Sequence, residues 1–128
     1  MTEPNPRQFA VAFLDNDWDG LRDQLAGDVR LRALLPKRVA EAVGSDAAIE
    51  LMAGWFEPGE RVIRVDAIDT QELGVKERIS YRFETHVPAG DKSYQVEQHV
   101  LLRRDQSGRI DKVDLLCSGW VEVDRPTR

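Results

Sequence analysis

Arg78-Ile79-Ser80-Tyr81-Arg82-Phe83-Glu84-Thr85-His86-Val87 decides the fold. Ile79, Tyr81, Phe83, Thr85 and Val87 fall on one parity, and Arg78, Ser80, Arg82, Glu84 and His86 on the other. A period of two is the mark of a half-buried strand, because successive side chains leave a strand on opposite faces. Pro88 offers no N–H to a ladder, and Pro88-Ala89-Gly90-Asp91 turns the chain. Tyr94, Val96, Gln98, Val100 and Leu102 then repeat the alternation on a returning strand. This antiparallel hairpin sets Tyr81 opposite Gln98 on one face and Arg82 opposite Glu97 on the other.

Downstream, Asp105 to Gly108 forms another turn, and residues 110 to 123 read as one last long strand with Val113, Leu115 and Cys117 on a common face. Upstream, a strand around Arg61 to Asp69 completes a sheet of about four strands. Val29 to Leu35, closed by Pro36, reads as an edge strand or an extended link, and residues 37 to 44 fit either a helical turn or a loop. Before the sheet the period is helical. Asn5-Pro6 is a cap followed by a first-turn proline, and Phe9 and Phe13 lie one turn apart. Asp17 caps a second helix carrying Trp18, Leu21 and Leu25, which Gly27 stops. Ser45 caps a third, in which Ile49, Met52, Ala53 and Phe56 form one stripe and Pro58-Gly59 ends it. Helices followed by a meander predict an α+β fold, with N-terminal helices packed in a strongly curved antiparallel sheet, as one domain over residues 1–128.

Composition narrows the function classes. The chain has 128 residues, 41% of them hydrophobic and 32% charged, enough to bury a core without disulfides or metals. Its net charge of −5, with basic residues interleaved among acidic ones, argues against a nucleic-acid partner. The basic pair Arg103-Arg104 runs directly into Asp105 and reads as a solvated strand end. A single cysteine, Cys117, excludes an internal disulfide and fits a reducing compartment. The apolar stretch from Phe9 to Leu14 is short, lacks a basic leader and runs into Asp15-Asn16-Asp17, so no signal peptide is expected. No run reaches the roughly 20 apolar residues of a membrane span. The expectation is a cytoplasmic protein with no membrane partner.

Three stretches carry a family resemblance. Asp17-Trp18-Asp19-Gly20-Leu21, followed by Leu25-Ala26-Gly27-Asp28-Val29, resembles the opening of the nuclear-transport-factor-2-like, SnoaL-like superfamily. Gly44-Ser45-Asp46-Ala47-Ala48-Ile49 resembles its "G-x-x-A-I" helix start with one extra residue, and Ser107-Gly108-Arg109-Ile110 its final hairpin. The resemblance implies a cone, in which the curved sheet wraps the helices and leaves a pocket at its open end. It also implies dimers built through the convex sheet face, where Leu101, Leu116 and Trp120 add apolar surface. The superfamily holds ketosteroid isomerases, epoxide hydrolases, polyketide cyclases, dehydratases and proteins that only bind, so the fold alone names no activity.

The two best-known catalytic patterns are incomplete here. Matching the ketosteroid isomerases places their base near Ala33, their helix-one tyrosine near Phe9 and their strand-borne aspartic acid near Gln98. Alanine and phenylalanine supply neither a proton acceptor nor an oxyanion donor. Arg78-Ile79-Ser80 resembles the epoxide hydrolases' Arg-x-Asp, with serine in place of the carboxylate, and their last-strand aspartate falls near Leu115.

With the Tyr81/Phe83 face turned inward, the cone is lined by Ile79, Tyr81, Phe83, Val96, Gln98, Val100, Leu115 and Cys117. The candidate ligand-binding residues are Phe13, Trp18, Trp55, Phe56, Tyr81, Phe83, Gln98, Leu115 and Cys117, with Trp55 at the rim. Tyr81 and Gln98 either orient a ligand or satisfy each other in a closed core. Cys117 lacks a base beside it and reads as a small buried residue. His86 and His99 are about six residues apart in register, roughly 20 Å, too far to share a metal, and neither a metal site nor a cofactor is expected. Three readings stay open: a binder of a small, mostly apolar molecule, an isomerase-, cyclase- or dehydratase-type enzyme using Tyr81 and Gln98, and a homodimeric scaffold with a filled interior.

Overall fold

The first helix, α1 (Pro6–Leu14), begins in a capping box: Gln8 N–H donates to the Asn5 side chain at 3.3 Å, and Asn5 N–H to that of Gln8 at 3.2 Å. Phe9 and Phe13 are buried on one face of it, as their spacing requires. Asp17 accepts from Gly20 N–H at 3.0 Å and opens α2 (Trp18–Gln24). The computed structural model describes residues 5–124. Residues 1–4 and 125–128, the ends of the expected one-domain span, lie outside that description.

The chain departs from its sequence reading immediately after α2. The helix stops at Gln24, and Leu25 already begins β1 (Leu25–Leu35), with Gly27 inside the strand. Arg38–Val43, open between helical turn and loop, is strand β2, paired antiparallel to β1 from Leu35↔Arg38 to Arg30↔Val43. Pro36-Lys37 is the two-residue turn between them, with Lys37 at φ 73°. Gly44, at φ 99°, donates its N–H to Val29 O at 2.8 Å and so stays bound to β1 while α3 (Ser45–Ala53) starts. Gly44 is therefore the cap residue and Ser45 the first helical one, with no side-chain cap bond. The helix ends at Ala53, so Trp55 and Phe56 lie on the connection beyond it.

Four further strands follow: β3 (Arg61–Leu73), β4 (Lys76–Val87), β5 (Lys92–Arg104) and β6 (Ile110–Cys117). A short β7 (Val121–Glu122) pairs with β5. Among the described residues this makes three helices and a seven-stranded sheet of order β2-β1-β6-β5-β4-β3, with β7 off that path. One pairing departs from an all-antiparallel sheet: β1 runs parallel to β6. β1 is thus an interior strand, not an edge, and its buried Val29, Leu31 and Ala33 alternate with exposed Arg30, Arg32 and Leu34. Register shifts in β1 and β3 are bulges that bend the sheet around the helices. The result is the expected α+β cone. Among the described residues no helix is long and apolar enough to cross a membrane, which says nothing about β-barrels.

Candidate functional site

The β4–β5 register is the one read from the sequence: Tyr81↔Gln98, Phe83↔Val96 and Arg82↔Glu97. Tyr81 O–H donates to Gln98 Oε1 at 2.6 Å, and Gln98 Nε2 donates to Cys117 Sγ at 3.3 Å. Gly119 N–H also donates to that sulfur at 3.3 Å. All three side chains are buried, and Ile79, Phe83, Val96, Val100 and Leu115 complete the inner face. Burial, followed by the proximity of Cys117, pushes the Tyr81 phenol well above its ordinary pKa, while burial raises the Cys117 thiol. A phenol held protonated and already donating to an amide is not a general base. A raised thiol is not a nucleophile at neutral pH.

Phe13 fills the space over this triad. Its ring meets those of Tyr81 at 5.9 Å, Phe83 at 6.2 Å, Phe56 at 5.5 Å, Trp18 at 5.8 Å and Trp55 at 6.3 Å. The expected site residues are therefore brought together, but as a packed aromatic interior in which Tyr81, Gln98 and Cys117 are hydrogen-bonded and the buried Trp55 Nε1 is left without a partner among the described residues. Phe9 and Ala33, the positions near which the resemblance would put a tyrosine and a base, are buried apolar core.

At one end of this interior lies a group that the sequence reading missed. Glu60 is only 5% exposed. Its Oε2 accepts from Thr85 Oγ1 at 2.5 Å and from Trp120 Nε1 at 2.7 Å, and its Oε1 accepts from Glu57 N–H at 2.8 Å. Trp120 stacks edge-on against Phe56 at 5.5 Å and Phe83 at 6.3 Å, and Phe56 meets Trp18 at 5.9 Å. The expectation for Trp120 was the convex face, and the structure corrects it. The long last strand breaks at Ser118 to Trp120, where Gly119 takes φ 84°. A shift of one residue reverses which face a side chain meets, so Trp120 turns inward. Glu60 gave no signal of its own, being one charge after a Pro-Gly turn.

The outer face carries a second polar chain. Arg82 donates from Nε and Nη2 to Glu97 Oε1, and His99 bridges Glu97 Oε2 at 2.8 Å and Ser80 Oγ at 2.9 Å. These donors, Arg82 first and His99 next, hold the Glu97 carboxyl below its ordinary pKa. Arg78 and Ser80 have the parity opposite to buried Ile79 and Tyr81, so they lie across the sheet from Leu115 and form no joint site with it. His86 pairs with Ser93 and His99 with Ser80, six positions apart along β5. Among the described residues no three His, Cys, Asp or Glu side chains converge as metal ligands.

A curved sheet wrapped round N-terminal helices, with Phe13, Phe56 and Phe83 packed inside it, is a cone fold of the ketosteroid isomerase-like kind. Comparison with known proteins agrees. No family model and no curated protein matches the chain. Among solved structures it is similar to a candidate isomerase from Rhodopseudomonas palustris, at TM-score 0.72 and 15% identity over 93% of each chain. It is also similar to a protein with a ketosteroid isomerase-like fold from Catenulispora acidiphila DSM 44928, in complex with trimethylamine, at TM-score 0.69 and 17% identity over 91% of this chain and 88% of that one. An LEH-like epoxide hydrolase from M. tuberculosis aligns at TM-score 0.64 and 14% identity over 88% of this chain and 78% of that one. At such identities the likeness establishes the fold and no ligand or reaction.

Proposed function

We propose that this protein binds a small, mostly apolar molecule at the open end of the cone, between Trp18, Phe56 and Trp120 and above Glu60. The observation that carries the reading is a buried carboxylate walled by aromatic rings, two of which (Phe56 and Trp120) sit on connections outside helices and strands. Apolar walls with a few placed polar groups are what a small-molecule site needs. Rings carried on connections are the ones able to turn aside when a ligand enters. That a protein of the same fold was obtained in complex with trimethylamine supports a small organic guest. The interior triad supports binding over catalysis, because Tyr81, Gln98 and Cys117 already satisfy one another.

The packing about Phe13 favours a second reading, a homodimeric scaffold with a filled interior. Native mass spectrometry and a thermal-shift screen of small organic molecules separate the two. Binding predicts a retained molecule, or a compound that raises the melting temperature by several degrees, since a ligand at about 100 times its Kd adds about 2.7 kcal/mol. A screen with no retained mass and no shift contradicts binding and leaves the scaffold.

A further inference from the structure

Building on that reading of the cone mouth, we infer that the molecule taken there is a small organic cation, a tertiary or quaternary ammonium. The inference starts from an imbalance of charge. Glu60 forms no ion pair among the described residues, although it is almost wholly buried. An indole N–H and a backbone N–H, groups that only donate, engage its two oxygens separately. Both oxygens are thus already engaged, and all three partners (Thr85, Trp120 and the Glu57 N–H) are neutral. A negative charge held in an apolar surround without a counter-charge is costly, and buried charges are ordinarily paired. Three donors soften that cost without supplying positive charge.

The surroundings fit a particular counter-charge. Trp120, whose ring edge holds Glu60, lies within ring-contact distance of Phe56 and Phe83, and Phe56 adjoins Trp18. Indole and phenyl faces attract cations through their quadrupole, most strongly where water is excluded. A strongly hydrated metal ion or a primary ammonium asks for several oxygen ligands. Glu60 keeps about one of a carboxylate's four acceptor positions free, on Oε1. An alkylated ammonium needs at most one hydrogen bond and presents a methyl surface to the rings. Glu60 therefore supplies the charge, Trp18, Phe56 and Trp120 the faces, and Thr85 holds the carboxylate in place. The chain's net charge of −5 favours approach of a cation.

Choline and its uncharged isostere 3,3-dimethylbutan-1-ol have nearly the same shape and differ in charge. Isothermal titration of the full-length protein with each, at matched ionic strength, is the test. The inference expects choline to bind at least tenfold more tightly than the isostere, and Glu60→Gln to remove that preference while retaining isostere binding. Equal affinity for the two overturns the cation while leaving the binding site standing. Binding of neither, together with an empty small-molecule screen, overturns both. Should Glu60→Gln fail to fold, judged by circular dichroism, Trp120→Phe takes its place. It keeps a ring but loses the indole, and a choline preference unchanged in that variant counts against the cage.

Discussion

Tyr81, Gln98 and Cys117 form the polar centre of an otherwise apolar interior, and their energetics follow from burial. Tyr81→Phe deletes the donor to Gln98 Oε1 and leaves a buried acceptor unsatisfied, which costs about 1–3 kcal/mol. Urea unfolding is expected to show that loss, and to recover most of it in the double variant Tyr81→Phe, Gln98→Leu, where both partners become apolar. A double variant as unstable as the sum of its parts would contradict this account. The same phenol predicts a pH dependence. Its folded pKa is raised, first by burial, so the folded state holds the proton beyond the point, about pH 10, where the unfolded phenol loses it. Stability from this group is therefore complete below about pH 10 and declines as pH rises toward the folded value. Tyr81→Phe should flatten that alkaline decline in melting temperature, measured from pH 9 to 11.

At the scale of elements, one break in the last strand brings Trp120 onto Glu60. Gly119 lies at φ 84°, and a Cβ there would stand 2.7 Å from Pro36 Cγ. Gly119→Ala adds a left-handed penalty of roughly 1–2 kcal/mol to that clash, and should both destabilise the protein and displace Trp120 from Glu60. Gly27→Ala, inside β1, meets nothing within 4 Å and is expected to change stability by less than about 1 kcal/mol. Equal effects of the two in urea unfolding would refute the role given to Gly119. These particulars also mark what the sequence could reveal. The β4–β5 hairpin was legible because ten residues alternate without exception and a proline-led turn closes them. β2 was not, because its turn places Lys37 where a type II turn ordinarily shows glycine or asparagine. Tyr81 and Gln98 were legible from hairpin register alone. Glu60 was not, since its burial depends on Thr85 and Trp120, 25 and 60 positions away, and on the strand break that turns Trp120 inward.

For the whole molecule, the outer sheet face and the cone mouth make separate demands. A groove of about 510 Å³ on the outer face is floored by Leu101 and edged by exposed Leu34 and Leu116, with Arg32, Lys112 and Asp114 beside them. Apolar surface flanked by both signs of charge suits a second copy of the same face. A two-fold homodimer through it predicts a dimer in sedimentation at micromolar concentration and a monomer for Leu116→Asp. Monomer alone for the unaltered chain would contradict that assembly. The central claim is where a ligand is taken, and the chain's three tryptophans report on it: Trp18 and Trp120 border the proposed site on either side of Phe56, while Trp55 meets Phe13 and sits beside α3 and β2. The most direct measurement is a ¹⁹F spectrum of the 5-fluorotryptophan-labelled protein, assigned by single Trp→Phe variants and titrated with choline. The account predicts saturable shifts of the Trp120 and Trp18 signals with Trp55 unmoved; a shift confined to Trp55, or no shift up to millimolar choline, would contradict it.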